Sequence, residues 1–122
     1  AQCLAALNSG SVAQQRQAAA SLALRDPKET LPTLNALIKL LDAPDVRIVA
    51  LRALANFGSA ASPAITNLRK LLDDDDGFVR IGATYVLTKI GPDAAEVLSY
   101  CADDPSPYVA NMARETLANW RK

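Results

Sequence analysis

The acidic run at residues 73–76 is the part of this sequence that most resembles a metal-binding loop. It reads Asp73-Asp-Asp-Asp76-Gly77, and carboxylate oxygens are ligands that Ca²⁺ prefers. An EF-hand loop also needs oxygen ligands at alternating positions, a glycine at the sixth position and a glutamate at the twelfth. No register of this run meets those requirements. We therefore expect an exposed turn, in which Asp76 or a neighbour caps the next helix.

Catalytic side-chain combinations are scarce because the sequence contains no histidine. Without histidine, neither a Ser–His nor a Cys–His pair can be assembled. The sequence has no His/Cys metal cluster and no glycine-rich phosphate loop. Acidic residues are plentiful, but their spacing singles out no pair. The sequence therefore predicts no catalytic residue, no metal site and no cofactor.

Two copies of one segment organise the middle of the chain and must position any site. Residues 46–58 read VRIVALRALANFG, and residues 79–91 read VRIGATYVLTKIG. The copies start 33 residues apart, and periods of about 20–50 residues indicate a solenoid rather than one globular core. The sequence therefore predicts a stack of similar units.

Capping residues divide the chain into two classes of helix, which we call A and B. Gly58 and Gly91 follow predicted A helices, where a left-handed residue is expected. The N-cap candidates are Ser11, Asp45 and Ser106 for A helices and Asp26 for a B helix. The predicted A helices span residues 12–25, 46–57, 78–90 and 107–121. The predicted B helices span residues 30–42, 63–73 and 92–102, after a partial one at 2–8.

Composition and helix order together predict the domain organisation. Half of the residues are apolar, and the dominance of Ala and Leu suits closely packed helices. We predict a single domain over residues 1–122. Its repeats are expected at residues 11–43, 44–76 and 77–104, with partial units at 1–10 and 105–122.

The repeated segments carry a motif that identifies a family resemblance. It reads Asp45-Val-Arg-x-x-Ala50-x-x-x-Leu54-x-x-x-Gly58, returns as Val79-Arg-x-x-Ala83-x-x-x-Leu87-x-x-Ile-Gly91, and recurs without the arginine between Val109 and Trp120. This motif resembles the HEAT-like repeats of phycobilisome lyases and many bacterial proteins. The resemblance implies an all-α, right-handed α-solenoid of HEAT-like helical hairpins, with about three full repeats and half-repeats at both ends. It also implies that the B helices line the concave side and the A helices the convex side.

The resemblance is specific for fold and unspecific for function, since such repeats occur in enzymes, adaptors and transport receptors. We expect a non-catalytic scaffold that binds a protein or peptide. The alternative is an accessory, lyase-like enzyme domain related to the phycobilisome lyases. Deoxyhypusine hydroxylase, another HEAT-like protein, binds iron through His-Glu pairs, and this sequence has no histidine.

Polar residues of the B helices form one candidate partner-binding surface. Aligning Pro32, Pro63 and Pro92 stacks equivalent positions of three units away from the apolar face. Small polar side chains leave room for an inserted peptide, and two lysines can pair with acidic groups. The alternative is an ordinary solvated face. The predicted concave-groove residues are Asn35, Lys39, Thr66, Asn67, Lys70, Glu96 and Ser99.

Apolar residues opposite the buried face of the A helices form a second candidate surface. The family pattern usually places polar residues there, whereas this sequence has Ile48 and Ile81 one unit apart, with Leu51 and Tyr85 nearby. A contiguous exposed apolar patch marks an interface. The alternatives are that these side chains pack between units, or that they contact a second copy or the rest of a longer native chain.

The charge, hydropathy and cysteine positions of the sequence indicate the class of partner and the cellular compartment. A formal net charge of zero, with Glu96 in the predicted groove, argues against nucleic acid. The apolar runs are far shorter than the roughly 20 residues that cross a bilayer.

Because the repeat units at both ends are incomplete, self-association through the open repeat ends is a further expectation. Cys3 and Cys101 are predicted to be too far apart for a disulfide, which favours the cytoplasm, although a start at Ala1 also suits a mature periplasmic or secreted form.

Overall fold

The structure describes residues 2–121, and the side chains of residues 3–121. Helices follow one another along this part of the chain. In this computed structural model those residues form helices and connecting turns, with no strand among them. The helices are α1 (Gln2–Leu7), α2 (Val12–Leu22), α3 (Pro27–Thr30), α4 (Leu34–Leu40), α5 (Arg47–Asn56), α6 (Ile65–Leu71), α7 (Gly77–Ile90), α8 (Ala95–Cys101) and α9 (Pro107–Trp120). Short 3₁₀ segments at Leu31–Thr33, Gly58–Ala64 and Pro92–Ala94 lead into α4, α6 and α8.

The predicted alternation of A and B helices is confirmed. The A helices are α2, α5, α7 and α9, and the B helices are α4, α6 and α8, preceded by the partial helix α1. The B helices are shorter than predicted, because each proline-containing entry turn adopts 3₁₀ rather than α geometry. The separate single turn α3 was not predicted. It begins where the Asp26 carboxylate accepts a hydrogen bond from the Lys28 N–H at 2.9 Å.

Most of the predicted helix caps are present. The Ser11 hydroxyl accepts a hydrogen bond from the Gln14 N–H at 3.4 Å, and Asp76 Oδ1 accepts one from the Phe78 N–H at 2.9 Å. Gly91 ends α7 at a φ of 101°, in the region that favours glycine. The acidic run therefore supplies the cap of an A helix, as predicted.

Two of the predicted caps differ in the structure. Asp45 does not cap α5, because the N-cap position belongs to Val46 and no side chain bonds the helix start. The Asp45 carbonyl instead accepts a hydrogen bond from Arg16 Nε at 2.9 Å. Ser106 does occupy the N-cap of α9, but its side chain makes no capping bond. The Ser106 N–H donates to Asp104 Oδ1 at 2.8 Å, so an aspartate turn prepares this helix start.

The core lies between the A layer and the B layer and repeats from unit to unit. Each A helix packs on its neighbours in the order α2, α5, α7 and α9, while α4, α6 and α8 pack on α5, α7 and α9. The large side chains at the centre are fully buried leucines: Leu22, Leu54 and Leu87 from the A helices, and Leu37, Leu68 and Leu98 from the B helices. Alanines at 50, 83 and 113 are also fully buried, and their small side chains let neighbouring helices approach.

Candidate functional site

The predicted B-helix surface consists mostly of solvent-exposed side chains. Asn35, Lys39, Thr66, Lys70, Glu96 and Ser99 are exposed, and Asn67 is half-buried. We call this set the B-face row. Its assignment as a partner-binding groove remains a prediction.

The register of the B-face row differs by one residue in the third unit. The buried leucines Leu37, Leu68 and Leu98 occupy equivalent positions of α4, α6 and α8. This alignment places Tyr100, rather than Ser99, beside Lys39 and Lys70. The proline alignment misleads because Pro92 is the first residue of its 3₁₀ segment, whereas Pro32 is the second.

Tyr100 links α8 to the end of α6 through a small polar cluster. Its hydroxyl donates a 2.6 Å hydrogen bond to Asp73 Oδ1, and Arg69 Nη1 lies 3.1 Å from Asp73 Oδ2. The Arg69 guanidinium carbon lies 3.8 Å from the centroid of the Tyr100 ring. The hydrogen bond from Tyr100, aided by Arg69, holds the pKa of Asp73 below 3.8, and the same bond raises the pKa of Tyr100 above 10.0. The cluster is exposed and ties two repeats together.

A groove of about 750 Å³ runs between two A helices, and all four residues of the predicted apolar stripe line it. We call it the A-face groove, because α5, α7 and the turns after α2 and α5 supply its walls. Its lining residues are Ala23, Ile48, Leu51, Arg52, Ala55, Asn56, Gly58, Phe78, Ile81, Gly82, Tyr85 and Lys89. The structure therefore brings the stripe residues together in one concave surface; whether a partner binds there remains a proposal.

The floor of the A-face groove is a close contact between α5 and α7. Leu51 is only 2% exposed, and a Cβ placed on Gly82 would lie 2.9 Å from Leu51 Cδ1. Glycine at this position therefore lets the two helices approach. Ile48 and Ile81 are half-buried against the core, whereas Tyr85 is 45% exposed. Leu51 therefore packs between units, whereas Tyr85 is exposed.

Three lining residues with chemical importance were missed by sequence reasoning. Phe78 is 77% exposed at the start of α7, and its spacing to Ile81 and Tyr85 was a signal that could have revealed it. Arg52 and Lys89 are exposed on opposite walls, and only the packing of α5 on α7 brings them into one groove. Lys89 Nζ lies 5.3 Å from the centroid of the Tyr85 ring, a cation–π distance.

Arg47 and Arg80 each pair with an aspartate of an acidic turn, and both members of each pair lie in the same repeat. Arg47 Nη1 lies 2.8 Å from Asp74 Oδ2, and Arg80 Nε lies 3.1 Å from Asp104 Oδ2. Each pair joins an A helix to the turn that follows the next B helix along the chain. These pairs fix the turn at the end of each repeat on the A helix of that repeat. Arg80 Nη1 also reaches the preceding repeat, because it donates to the carbonyls of Asp74 and Asp75.

The described residues contain neither a metal-binding cluster nor a membrane-spanning helix. Among residues 2–121, no group of three or more His, Cys, Asp or Glu side chains is placed to hold a metal ion. No helix in that range is both long and apolar enough to span a bilayer. Cys3 is half-buried and Cys101 buried, and both are free thiols. Burial raises the pKa of the Cys101 thiol.

Stacked helical hairpins with a repeating core and a repeating arginine–aspartate pair define a repeat-solenoid protein. The profile of the HEAT repeats matches residues 1–88 and again residues 34–118. This chain therefore belongs to the HEAT-repeat family. The phycobilisome-lyase subtype remains a prediction.

Two solved structures with a similar fold come from protein engineering. The chain is similar to an engineered protein known from its crystal structure, with 26% identity, a TM-score of 0.78, and coverage of 97% of this chain and 60% of that one. It is also similar to a designed armadillo repeat protein, with 21% identity, a TM-score of 0.69, and coverage of 97% and 63%. The chain thus spans about three fifths of the length of these proteins. No curated protein matches it.

Proposed function

We propose that this chain is a non-catalytic scaffold that binds a protein or peptide on the surface of its helical stack. Repeat solenoids present extended surfaces on which many modest contacts add up to affinity. The observation that carries the proposal is the A-face groove, in which exposed Phe78 and Tyr85 stand above an apolar floor. Aromatic side chains in a concave apolar site are the usual anchors of protein interfaces.

The B-face row is a second surface on which the same scaffold function can act. Lys39 and Lys70 occupy equivalent positions of successive units and are exposed, so they suit a partner with acidic groups. Side chains this exposed contribute little to the core, so their replacement tests binding without disturbing the fold.

Comparison of two double variants in a capture experiment tests the scaffold function. The parent chain, Phe78→Ser with Tyr85→Ser, and Lys39→Glu with Lys70→Glu are each immobilised and exposed to lysate of the source cell. All three should show the same helix content by circular dichroism. We expect at least one protein to be retained by the parent and lost with one of the two variants. Equal retention of every protein by all three chains, or no protein retained by the parent, would contradict the proposal.

A further inference from the structure

The A-face groove changes from apolar to basic along its length. On α7 the lining residues are Phe78, Ile81, Tyr85 and Lys89, whose spacing of three and four residues places them on one face of the helix. From Phe78 to Lys89 the helix rises about 16 Å, at about 1.5 Å per residue. A surface of this length matches about three turns of another helix.

The opposite wall of the groove, on α5, also changes from apolar to basic in the same direction. The repeat motif aligns Val46 with Val79, so Ile48 on α5 occupies the position equivalent to Ile81, and Arg52 the position equivalent to Tyr85. In repeat-equivalent positions Arg52 and Lys89 differ by four residues, which is about one helical turn. The apolar half therefore surrounds Ile48 and Ile81, and the basic half surrounds Arg52 and Lys89.

The charges that line the groove are all positive. Arg52 and Lys89 are its ionised side chains, and its other lining residues are apolar, aromatic, amide or glycine. The three ion pairs among the described residues use Arg47, Arg69 and Arg80, so Arg52 and Lys89 take part in none of them. Because the chain as a whole has zero net charge, this positive potential is local to the groove.

Lys89 lies in the last turn of α7, where the helix dipole places about half a negative charge. That partial charge is smaller than the two full positive charges of Arg52 and Lys89. The basic half of the groove therefore keeps a net attraction for carboxylates.

We infer that the A-face groove binds a short, acidic amphipathic helix of a partner protein. This inference rests on the proposed scaffold function and names the class of partner. The apolar face of the bound helix covers Ile48, Phe78 and Ile81, and carboxylates one turn apart reach Arg52 and Lys89. A helix laid in a groove is read through residues at such three- and four-residue spacings.

The test is selection of peptides of about 12 residues, a length that spans the groove as a helix, from a random phage-displayed library on the parent chain. We expect enriched sequences with apolar residues at spacings of three and four, and with Asp or Glu outnumbering Lys and Arg. A synthetic peptide of the enriched sequence should bind more weakly as ionic strength rises. Selection of basic or unpatterned peptides would overturn the inference.

The chain offers matched controls for both halves of the groove. Phe78 and Tyr108 are both the second residue of an A helix and are 77% and 75% exposed, but only Phe78 lines the groove. Phe78→Ser should weaken peptide binding at least about fivefold, equivalent to about 1 kcal/mol, while Tyr108→Ser leaves it unchanged. Equal effects of the two variants would contradict the inference.

Charge reversal supplies the second matched pair. Arg52→Glu with Lys89→Glu should weaken binding of the selected acidic peptide at least about tenfold. Lys39→Glu with Lys70→Glu changes the net charge by the same amount on the other face and should have no more than the small effect of long-range repulsion. The reverse ranking would overturn the inference and leave the scaffold function standing on the B-face row.

Two other occupants of the groove give distinct results. If the parent chain sediments with phosphatidylserine vesicles and the Arg52→Glu, Lys89→Glu double variant does not, the occupant is a membrane surface. That result would contradict the inference. A dimer in analytical ultracentrifugation that Phe78→Ser dissociates would identify a second copy, with the same consequence. Failure of the selection, together with failure of the lysate capture, would overturn the scaffold function as well.

Discussion

Phe78 exposes most of an aromatic ring to solvent at the start of α7. Burying a phenylalanine stabilises a fold by about 1.5–3 kcal/mol, and this ring obtains little of that stabilisation. Its neighbours on the same helix stripe, Ile81 and Tyr85, are only partly covered. Such a cluster adds little to folding and is suited to contact with another molecule.

The hydrogen bond between Tyr100 and Asp73 predicts a pH effect that can be measured at one residue. Because this bond lowers the pKa of Asp73, its stabilising contribution is present above the ordinary pKa of the carboxyl group and is lost as pH falls through the folded-state pKa. For Tyr100, whose pKa is raised, the contribution is present below the ordinary pKa and is lost at higher pH.

Replacing Tyr100 with phenylalanine should therefore raise the pKa of Asp73 toward its ordinary value. The substitution removes the hydroxyl donor and keeps the ring on which Arg69 lies. An NMR titration of the Asp73 carboxyl carbon, in parent and Tyr100→Phe chains, measures the change. An unchanged titration midpoint would show that the 2.6 Å hydrogen bond does not control this carboxyl group.

Single residues also mark the limits of sequence reasoning. Ser11, Asp26 and Asp76 were identified as caps because their oxygens act on amides two or three residues away. Asp45 was misassigned because the turn before α5 closes through backbone bonds from Val46 and Arg47 to the Ala43 carbonyl. Such a competition between neighbouring turn geometries is not evident from residue types alone.

At the scale of elements, the contact between α5 and α7 creates the A-face groove. Gly82 allows Leu51 to lie under the groove, and the side chains around this contact stand as its walls. The sequence placed Ile48, Leu51, Ile81 and Tyr85 on one stripe by helical periodicity. It could not place Arg52 with Lys89, since they lie on different helices and their proximity depends on how the helices pack.

Arg80 stabilises its own repeat through Asp104 and contacts the preceding repeat through two backbone carbonyls. Arg80 bonds Asp104 and the carbonyls of Asp74 and Asp75, and the Asp104 side chain is only 8% exposed. Arg80→Ala leaves this carboxylate without its charged partner and should lower the free energy of unfolding by about 2 kcal/mol.

Arg69→Ala is the matched comparison for Arg80→Ala. It removes an ion pair with Asp73 that is well exposed on both sides, which typically contributes less than about 1 kcal/mol. Urea unfolding curves of the two variants and the parent measure both values. A loss for Arg69→Ala as large as that for Arg80→Ala would contradict the assignment of the Arg80–Asp104 pair as the stronger contact.

At the scale of the whole molecule, the repeat allowed the architecture to be predicted from the sequence. Ala50 and Ala83, with Leu54 and Leu87, keep their positions in both copies and are fully buried, because each unit must bury the same face against its neighbours. The same repetition misplaced the third B helix by one residue. The segment from Pro92 to Leu98 is one residue longer than the segment from Pro63 to Leu68, so the proline is a poorer guide to register than the buried leucine.

The isoleucine methyl groups give the most direct test of the central claim, which is that the A-face groove is the docking surface. The sequence has isoleucines at 38, 48, 65, 81 and 90. Of these, Ile48 and Ile81 line the groove, whereas Ile38 and Ile65 lie on B helices. In a methyl NMR titration with the selected acidic peptide, we predict that the Ile48 and Ile81 signals shift while those of Ile38 and Ile65 stay in place. Shifts confined to Ile38 and Ile65 would contradict the account.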